Sequence, residues 1–347
     1  MKTLKDFSVV DKRILVRCDF NVPVDKKGDV LDDFRIKKSL DTIKYLVENK
    51  AKIILMSHLD PESTGVADKK YTLDNVAEKL SELLNLPIIK ATDCIGPELE
   101  GQSNELDHGK ILLLENLRFY KEETENNLEF AKKLSYLGDI YVNDAFSVDH
   151  RPHASIVGVP QFLPSCAGLL LEKELDSLDK AIKNPEKPMT ALIGGAKVET
   201  KSNFINEISK VADFVILGGL LAKEVAEKNI EFLHQEKIIV PFGDQGGLDI
   251  DDESVKLFSE KILQSKTVLW NGPFGKFEEE KYAKGTLGLA NAIIASGAYS
   301  VVGGGETVEF LEKRGMLDKF SWVSTGGGAM LAYLSGEKLP GLEALKQ

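Results

Sequence analysis

The sequence is poor in cysteine. Cys18, Cys94 and Cys166 stand far apart in 347 residues. With no CxxC pair they form neither a zinc ligand set nor a disulfide framework. Long apolar runs are also missing. None approaches the ~18 residues of a membrane span, and Met1-Lys2-Thr3-Leu4-Lys5 has no hydrophobic signal segment behind it. These absences lead us to expect a cytoplasmic protein without a membrane partner. Positive charge is not in excess: 44 Lys and Arg face 55 Asp and Glu, a net charge of −11. Nucleic acid is therefore not an expected partner, and any anion must be met by a local concentration of cations. With 29 Gly and 12 Pro the chain is neither collagen-like nor low-complexity. Its length and 43% hydrophobic content suit about two domains of ~150 residues, each with a full core.

Arginine is scarce, at six against 38 lysines. Arg17, Arg35, Arg118 and Arg151 all lie in the first 151 residues, so each stands where a planar, bidentate fork has been kept in a lysine-rich chain. Ordinary salt bridges are the plainer explanation for any one of them.

Short apolar runs alternate with amphipathic stretches, the pattern of parallel α/β sheets. In the first half the predicted strands are Arg13–Cys18, Lys52–Met56, Leu86–Lys90, Lys110–Glu115 and Asp139–Asn143. In the second they are Met189–Ile193, Phe214–Leu217, Lys237–Val240, Thr267–Trp270, Tyr299–Val302 and Ser321–Ser324. Near-continuous hydrophobicity implies strands covered on both faces. The expected fold is α/β: two Rossmann-like, doubly wound parallel-sheet domains joined by a hinge helix. Residues 1–166 and 184–333 are the domains. Residues 167–183 form the helix, with apolar spacing at Leu171, Leu175, Leu178 and Ile182 and stops at Asn184-Pro185 and Lys187-Pro188.

Ligands bind at the carboxyl ends of strands in open α/β sheets. In the second half those ends carry Gly194-Gly195, Gly218-Gly219, Gly272, Gly303-Gly304-Gly305 and Gly326-Gly327-Gly328. One such turn needs glycine for geometry alone, but five on one edge point to a nucleotide. Three nucleotide signatures are absent: GxxxxGK[ST], a GxGxxG after the first strand, and the protein-kinase set. Lys197 and Lys201, four apart, are expected on one face of a helix opening behind Gly194-Gly195, where they could meet a phosphoryl group. Solvated helix lysines are the ordinary alternative. In the first half, Arg17 to Asn21, Ser57-His58, Asn116 to Arg118 and His150 to His153 bring Arg and His to one sheet edge. That set suits a small polyanion. No serine elbow or activated cysteine is present, which favours direct in-line transfer between two bound ligands.

These stretches resemble phosphoglycerate kinases over nearly the whole chain. The matching runs are Arg17-Cys18-Asp19-Phe20-Asn21-Val22-Pro23, Asp33-Phe34-Arg35-Ile36, Ser57-His58-Leu59, Leu114-Glu115-Asn116-Leu117-Arg118-Phe119, and Tyr141-Val142-Asn143-Asp144-Ala145-Phe146. They continue in the family's order through His150-Arg151-Pro152-His153, Gly194-Gly195-Ala196-Lys197, Trp270-Asn271-Gly272-Pro273, Gly303-Gly304-Gly305 and Ser324-Thr325-Gly326-Gly327-Gly328. The resemblance implies 3-phosphoglycerate or 1,3-bisphosphoglycerate on the first domain and ADP or ATP with Mg²⁺ on the second. It also implies transfer after domain closure, a C-terminal tail (334–347) packed back on the first domain, and a monomer.

By motif position, the resemblance gives the phosphoglycerate to Asp19, Phe20, Asn21, Arg35, His58, Leu59, Asp60, Pro61, Arg118 and Arg151, with Arg17, His150 and His153 completing a basic patch. It gives the nucleotide to Gly194, Lys201, Gly218, Asn271, Glu278, Gly304, Gly305, Glu306 and Thr307. Arg35, Lys197, Gly326 and Gly327 would act on the phosphoryl group in flight, and Glu306 would serve the metal. This chain departs from the family where Ser-His-Leu-Gly-Arg-Pro becomes Ser57-His58-Leu59-Asp60-Pro61-Glu62. It departs again where Gly-Thr-Ala becomes Ser147-Val148-Asp149, and where the magnesium aspartate becomes Glu306. The chain is also short for the family, so loops are expected to be trimmed. Two alternatives remain at this point: a related kinase acting on a different acyl phosphate, and a non-catalytic nucleotide-binding regulator.

Overall fold

The computed structural model describes residues 1–60, 64–243 and 245–346. The chain divides into two compact units, Met1–Lys173 with Lys338–Gln347, and Glu174–Glu337. The division falls inside the helix Leu169–Ile182, between Lys173 and Glu174. This helix therefore belongs in part to each unit rather than standing between them.

In the first unit six parallel strands lie in the order β3-β4-β2-β1-β5-β6. They are β1 (Arg13–Cys18), β2 (Lys52–Met56), β3 (Ile88–Lys90), β4 (Ile111–Leu113), β5 (Ile140–Asp144) and β6 (Ser165–Ala167). The central strands are apolar on both faces because helices cover both. Ile14, Leu15 and Val16 on β1 and Ile53, Ile54 and Leu55 on β2 are all solvent-inaccessible. Register is direct, with Ile14 against Ile53 on one side and Ile140 on the other. Strand β6 was not expected. It is a three-residue edge strand after Pro164, too short to show a period, and it is defined by pairing Tyr141 with Ser165 and by the bridge of Thr3 to Ala167.

The second unit repeats the plan as β12-β11-β10-β7-β8-β9. Its strands are β7 (Met189–Ile193), β8 (Phe214–Leu217), β9 (Ile238–Ile239), β10 (Thr267–Asn271), β11 (Tyr299–Gly303) and β12 (Trp322–Val323). All pairings are parallel. Both chains of strands reverse direction across the sheet beside their first strand, between β1 and β5 and between β7 and β10. Such a reversal opens a crevice at the carboxyl ends of those strands.

The C-terminal segment closes on the first unit. The helix Pro340–Ala344 places Gly341 against the loop after β5, where its N–H donates to the Asp149 carbonyl at 2.9 Å.

Candidate active site

Four adjacent strands of the first unit, β4-β2-β1-β5, deliver the cationic residues to one edge. Arg17, the next-to-last residue of β1, is wholly buried. Its Nε donates to Ser155 Oγ at 2.8 Å, its Nη2 lies 3.8 Å from Glu123 Oε1, and that same nitrogen is 3.3 Å from His58 Nδ1. Glu123 also accepts from the Ser155 N–H at 2.9 Å and the Ser155 hydroxyl at 2.6 Å. A buried guanidinium is thus neutralised from behind and held rigidly.

His58 is buried after β2. Burial pulls its pKa well below the usual imidazole range, and Arg17, Arg118, Arg35 and Arg151 push it further the same way. His153 is lowered to about 3, first by burial and then by Arg118, Arg17, Arg151 and His150. The two histidines are therefore neutral, and the cationic character of the edge comes from arginine. Two carboxylates tie the set together: Asp19, paired with Arg35, lies 4.0 Å from His58 Nδ1, and Asp60, paired with Arg118, lies 3.9 Å from His58 Nε2, while Arg151 Nε is 3.4 Å from His150 Nε2.

Asp19, at the end of β1, accepts from Arg35 and from the Ser147 hydroxyl, and its Oδ1 receives the Asn21 N–H at 3.0 Å. Arg118 is buried, and its Nε donates to Asp60 Oδ1 at 3.1 Å. Asp60 and Asn21 exchange two further hydrogen bonds of 2.9 and 3.0 Å. Two expected ligands do not face this cluster. Phe20 lies in the hydrophobic core with its N–H donated to Ser57 Oγ, and Leu59 is buried with both backbone groups bonded to Asn116. An aromatic and an aliphatic side chain at these strand ends are taken up by the core. Pro61 lies outside the described residues.

Two residues outside the assigned ligand set support the cluster. Asn116 holds Leu59 through both backbone groups, accepts the Arg118 N–H at 3.0 Å and donates to Tyr71 O at 2.9 Å. Glu123 stands among other charged residues in Lys121-Glu122-Glu123-Thr124, where nothing local marks it as buried. Its only sequence signal would have been the need of a buried Arg17 for a counter-ion.

In the second unit the carboxyl edge is a glycine-lined surface with two adjoining hollows. One, of about 230 Å³, is lined by Lys201, Asn271, Gly272, Gly304, Gly305, Glu306, Thr307 and Gly327 among others. The other, of about 240 Å³, is lined by Gly195, Gly219, Leu220, Gly247, Phe277, Glu278 and Glu306 among others. Glycine is required here sterically. Gly272 has φ +94°, and a Cβ on it would stand 2.4 Å from the Gly194 carbonyl oxygen. Thr307 is buried and accepts the Gly272 N–H at 2.9 Å, fixing the turn. Asn271 leaves a buried Nδ2 without a partner, a donor suited to an anion's oxygen.

Lys201 is buried, its ammonium donates to the Gly194 carbonyl, and burial lowers its pKa to about 8 against the opposing pull of Glu306. The expectation that Lys197 and Lys201 share a helix face is corrected. The helix begins only at Ser202, and Lys197 is exposed on the preceding turn. That turn is held open by Gly195 at φ +94° and by the Val198 N–H donating to Glu224 Oε2 at 2.9 Å. Gly194 and Gly218 are buried under the neighbouring turn, against Pro273 and the Phe274 ring, and stand behind the hollows. Gly326 gives its N–H to Ser324 Oγ at 3.0 Å, so of the pair only Gly327 lines the hollow.

A doubly wound unit with an arginine cluster and a second with a glycine-lined anion cradle make up an α/β phosphotransferase. Comparison with known proteins narrows this. The phosphoglycerate kinase family model matches residues 4–231 and 222–337. The phosphoglycerate kinase of Dictyoglomus turgidum is 42% identical over 389 aligned positions, covering 99% of this chain and 98% of that protein. The chloroplastic phosphoglycerate kinase 2 of Arabidopsis thaliana is 42% identical, covering 100% of this chain and 83% of that one. The phosphoglycerate kinase structure from Pyrococcus horikoshii superposes with a TM-score of 0.88 at 31% identity, covering 100% and 98% of the two chains. That from Coxiella burnetii gives 0.83 at 33%, covering 99% and 98%. The chain belongs to the phosphoglycerate kinase family. The 389 aligned positions exceed the 347 residues available, so relatives carry segments that are trimmed here.

Proposed function

We propose that the protein catalyses reversible phosphoryl transfer between 1,3-bisphosphoglycerate and ADP, giving 3-phosphoglycerate and ATP. The observation that carries the reading is the gathering of three arginines at buried His58, Arg17 directly, Arg35 through Asp19 and Arg118 through Asp60. Such a set of planar forks suits one ligand bearing both a carboxylate and a phosphate. We assign Asp19 and Asn21 to the ligand's hydroxyl side, and Arg35, Arg118 and Arg151 to its charges.

In the direction of ATP use, the bond between the γ-phosphorus and the β–γ bridging oxygen breaks as one forms to the acceptor carboxylate. That acceptor arrives ionised at neutral pH, so no side chain needs to remove a proton. This agrees with a site in which His58 and His153 are held neutral by burial. Lys201, the Asn271 amide and the N–H groups around Gly304-Gly305 and Gly327 would hold the polyphosphate. Glu278, which lines the second hollow, is assigned to the ribose, and exposed Lys197 to the transferring group. Glu306 is the carboxylate common to both hollows, and its hard oxygen beside a polyphosphate cradle fits Mg²⁺. When bound, that ion would neutralise charge on the phosphate oxygens. Because acceptor and donor are assigned to separate units, transfer requires a hinge motion. We place it at residues 167–183.

The test is ATP consumption by the purified protein with Mg²⁺ and 3-phosphoglycerate, read through a coupled assay. We expect turnover with 3-phosphoglycerate and none with acetate. Turnover only with another carboxylic acid would make it a different acyl-phosphate kinase. Nucleotide binding without any turnover would make it a regulator.

A further inference from the structure

The arginine cluster holds an anion of the protein's own. Asp60 Oδ1 accepts from Arg118 Nε at 3.1 Å and lies 3.9 Å from His58 Nε2. Its other oxygen accepts the Asn21 amide at 2.9 Å, and its backbone N–H donates to Asn21 Oδ1 at 3.0 Å. The carboxylate is therefore seated, with both oxygens used, between two residues assigned above to the phosphoglycerate.

The two ends of the Arg118–Asp60 pair differ in exposure. The Arg118 side chain is 3% exposed and that of Asp60 is 46%. Arg118 is held in place by burial, and its backbone N–H donates to Asn116 Oδ1. The carboxylate can turn into water and be rehydrated at little cost. Removing Arg118 from its counter-ion without a replacement would leave a buried charge uncompensated. An incoming anion that takes over Arg118 avoids that penalty.

We propose that Asp60 is a specificity-determining residue: a resident carboxylate that competes with exogenous anions for Arg118 and raises the threshold an anion must meet to occupy the cluster. The inference rests on the reading of this cluster as the phosphoglycerate site. A small inorganic anion gains one or two arginines in return for displacing Asp60. A ligand with a carboxylate and a phosphate spans several arginines at once, so it bears the competition better. Asp60 thus lowers affinity for every anion while favouring the doubly charged one.

The experiment measures two quantities in the full-length protein and in Asp60→Asn and Asp60→Ala. One is sulfate affinity by calorimetry. The other is the Michaelis constant for 3-phosphoglycerate at constant ionic strength, with the Michaelis constant for ATP as internal reference. Asp60→Asn keeps a group able to pair with Asn21, so it reports loss of charge rather than loss of the loop. We expect sulfate to bind roughly two- to fivefold more tightly in both variants, the range for a half-exposed ion pair. The constant for 3-phosphoglycerate should fall by a smaller factor, with that for ATP unmoved. Sulfate affinity unchanged or weakened in both variants would overturn the proposal. So would a rise in the 3-phosphoglycerate constant alone, which would make Asp60 a ligand. Failure of the parent to use 3-phosphoglycerate would instead overturn the functional reading, and the calorimetric result would still decide whether Asp60 guards Arg118.

Discussion

At the scale of single residues, the site is governed by how burial treats each charge. Lys201 shows this best. Its ammonium is enclosed by glycine turns, and desolvation lowers its pKa to about 8. In the free protein the charge is lost as pH rises through about 8, well before an exposed lysine would lose it. Bound phosphates favour the charged form and move the titration upward. We therefore expect kcat/KM for the nucleotide to fall above pH 8 while kcat holds to higher pH, since the first reports the free protein and the second the complex. Lys201→Arg should abolish that limb, because a guanidinium does not titrate there. A kcat/KM profile flat to pH 9.5 would refute the assignment. The stability effect has the opposite sign. Between about pH 8 and the unfolded value near 10.5 the unfolded chain binds more protons at this lysine, so its contribution to stability rises with pH. Loss of activity in that window cannot then be ascribed to this lysine's effect on folding.

At the scale of elements, short segments owe their position to contacts distant in sequence. The helix Pro340–Ala344 has only five residues and would not persist alone. It docks through Gly341, whose missing side chain admits Asp149. A Cβ there would fall 2.1 Å from Asp149 Oδ1 and 2.9 Å from Ile156 Cγ2. Asp149 is itself buried, bonded to Asn143 at 2.7 Å, and cannot swing away freely. Gly341→Ala should therefore destabilise the first unit by about 1–3 kcal/mol through overpacking, lowering its thermal midpoint by several degrees. Scanning calorimetry checks this, and an unchanged midpoint would show that the tail is not held there. The same reasoning explains what the sequence made legible. Central strands such as Ile14 to Val16 announce themselves by unbroken hydrophobicity. The edge strand β6 exists because β5 and Thr3 pair with it, and no local pattern records that. Ahead of the helix that starts at Ser202, the Val198 N–H is captured by Glu224 from another helix, a contact no local pattern records. The cationic residues were legible because arginine is rare here. Asn116 and Glu123 were not, because a supporting residue is defined by what it touches.

At the scale of the molecule, the chain passes from one compact unit to the other twice, at Lys173 to Glu174 and at Glu337 to Lys338. Each unit has its own parallel sheet and its own reversal of strand order, so each forms its own crevice. Ligand binding to one crevice should stabilise that unit by mass action without requiring the other. Hydrogen exchange can separate the two effects. With 3-phosphoglycerate alone, we expect slower exchange at amides around Asn21, Leu59 and Arg118 and little change beyond Glu174. With Mg-nucleotide alone, exchange should slow around Gly195, Gly272 and Gly305. Transfer, however, demands that both ligands react with each other, so the proposed hinge motion must act through the two crossings. Amides near Glu174 and Lys338 should then change their exchange only when both ligands are present, and not by the sum of the single-ligand changes. If the crossings respond fully to either ligand alone, the motion does not depend on joint occupancy. If they respond to neither ligand nor to both, the hinge lies elsewhere than residues 167–183.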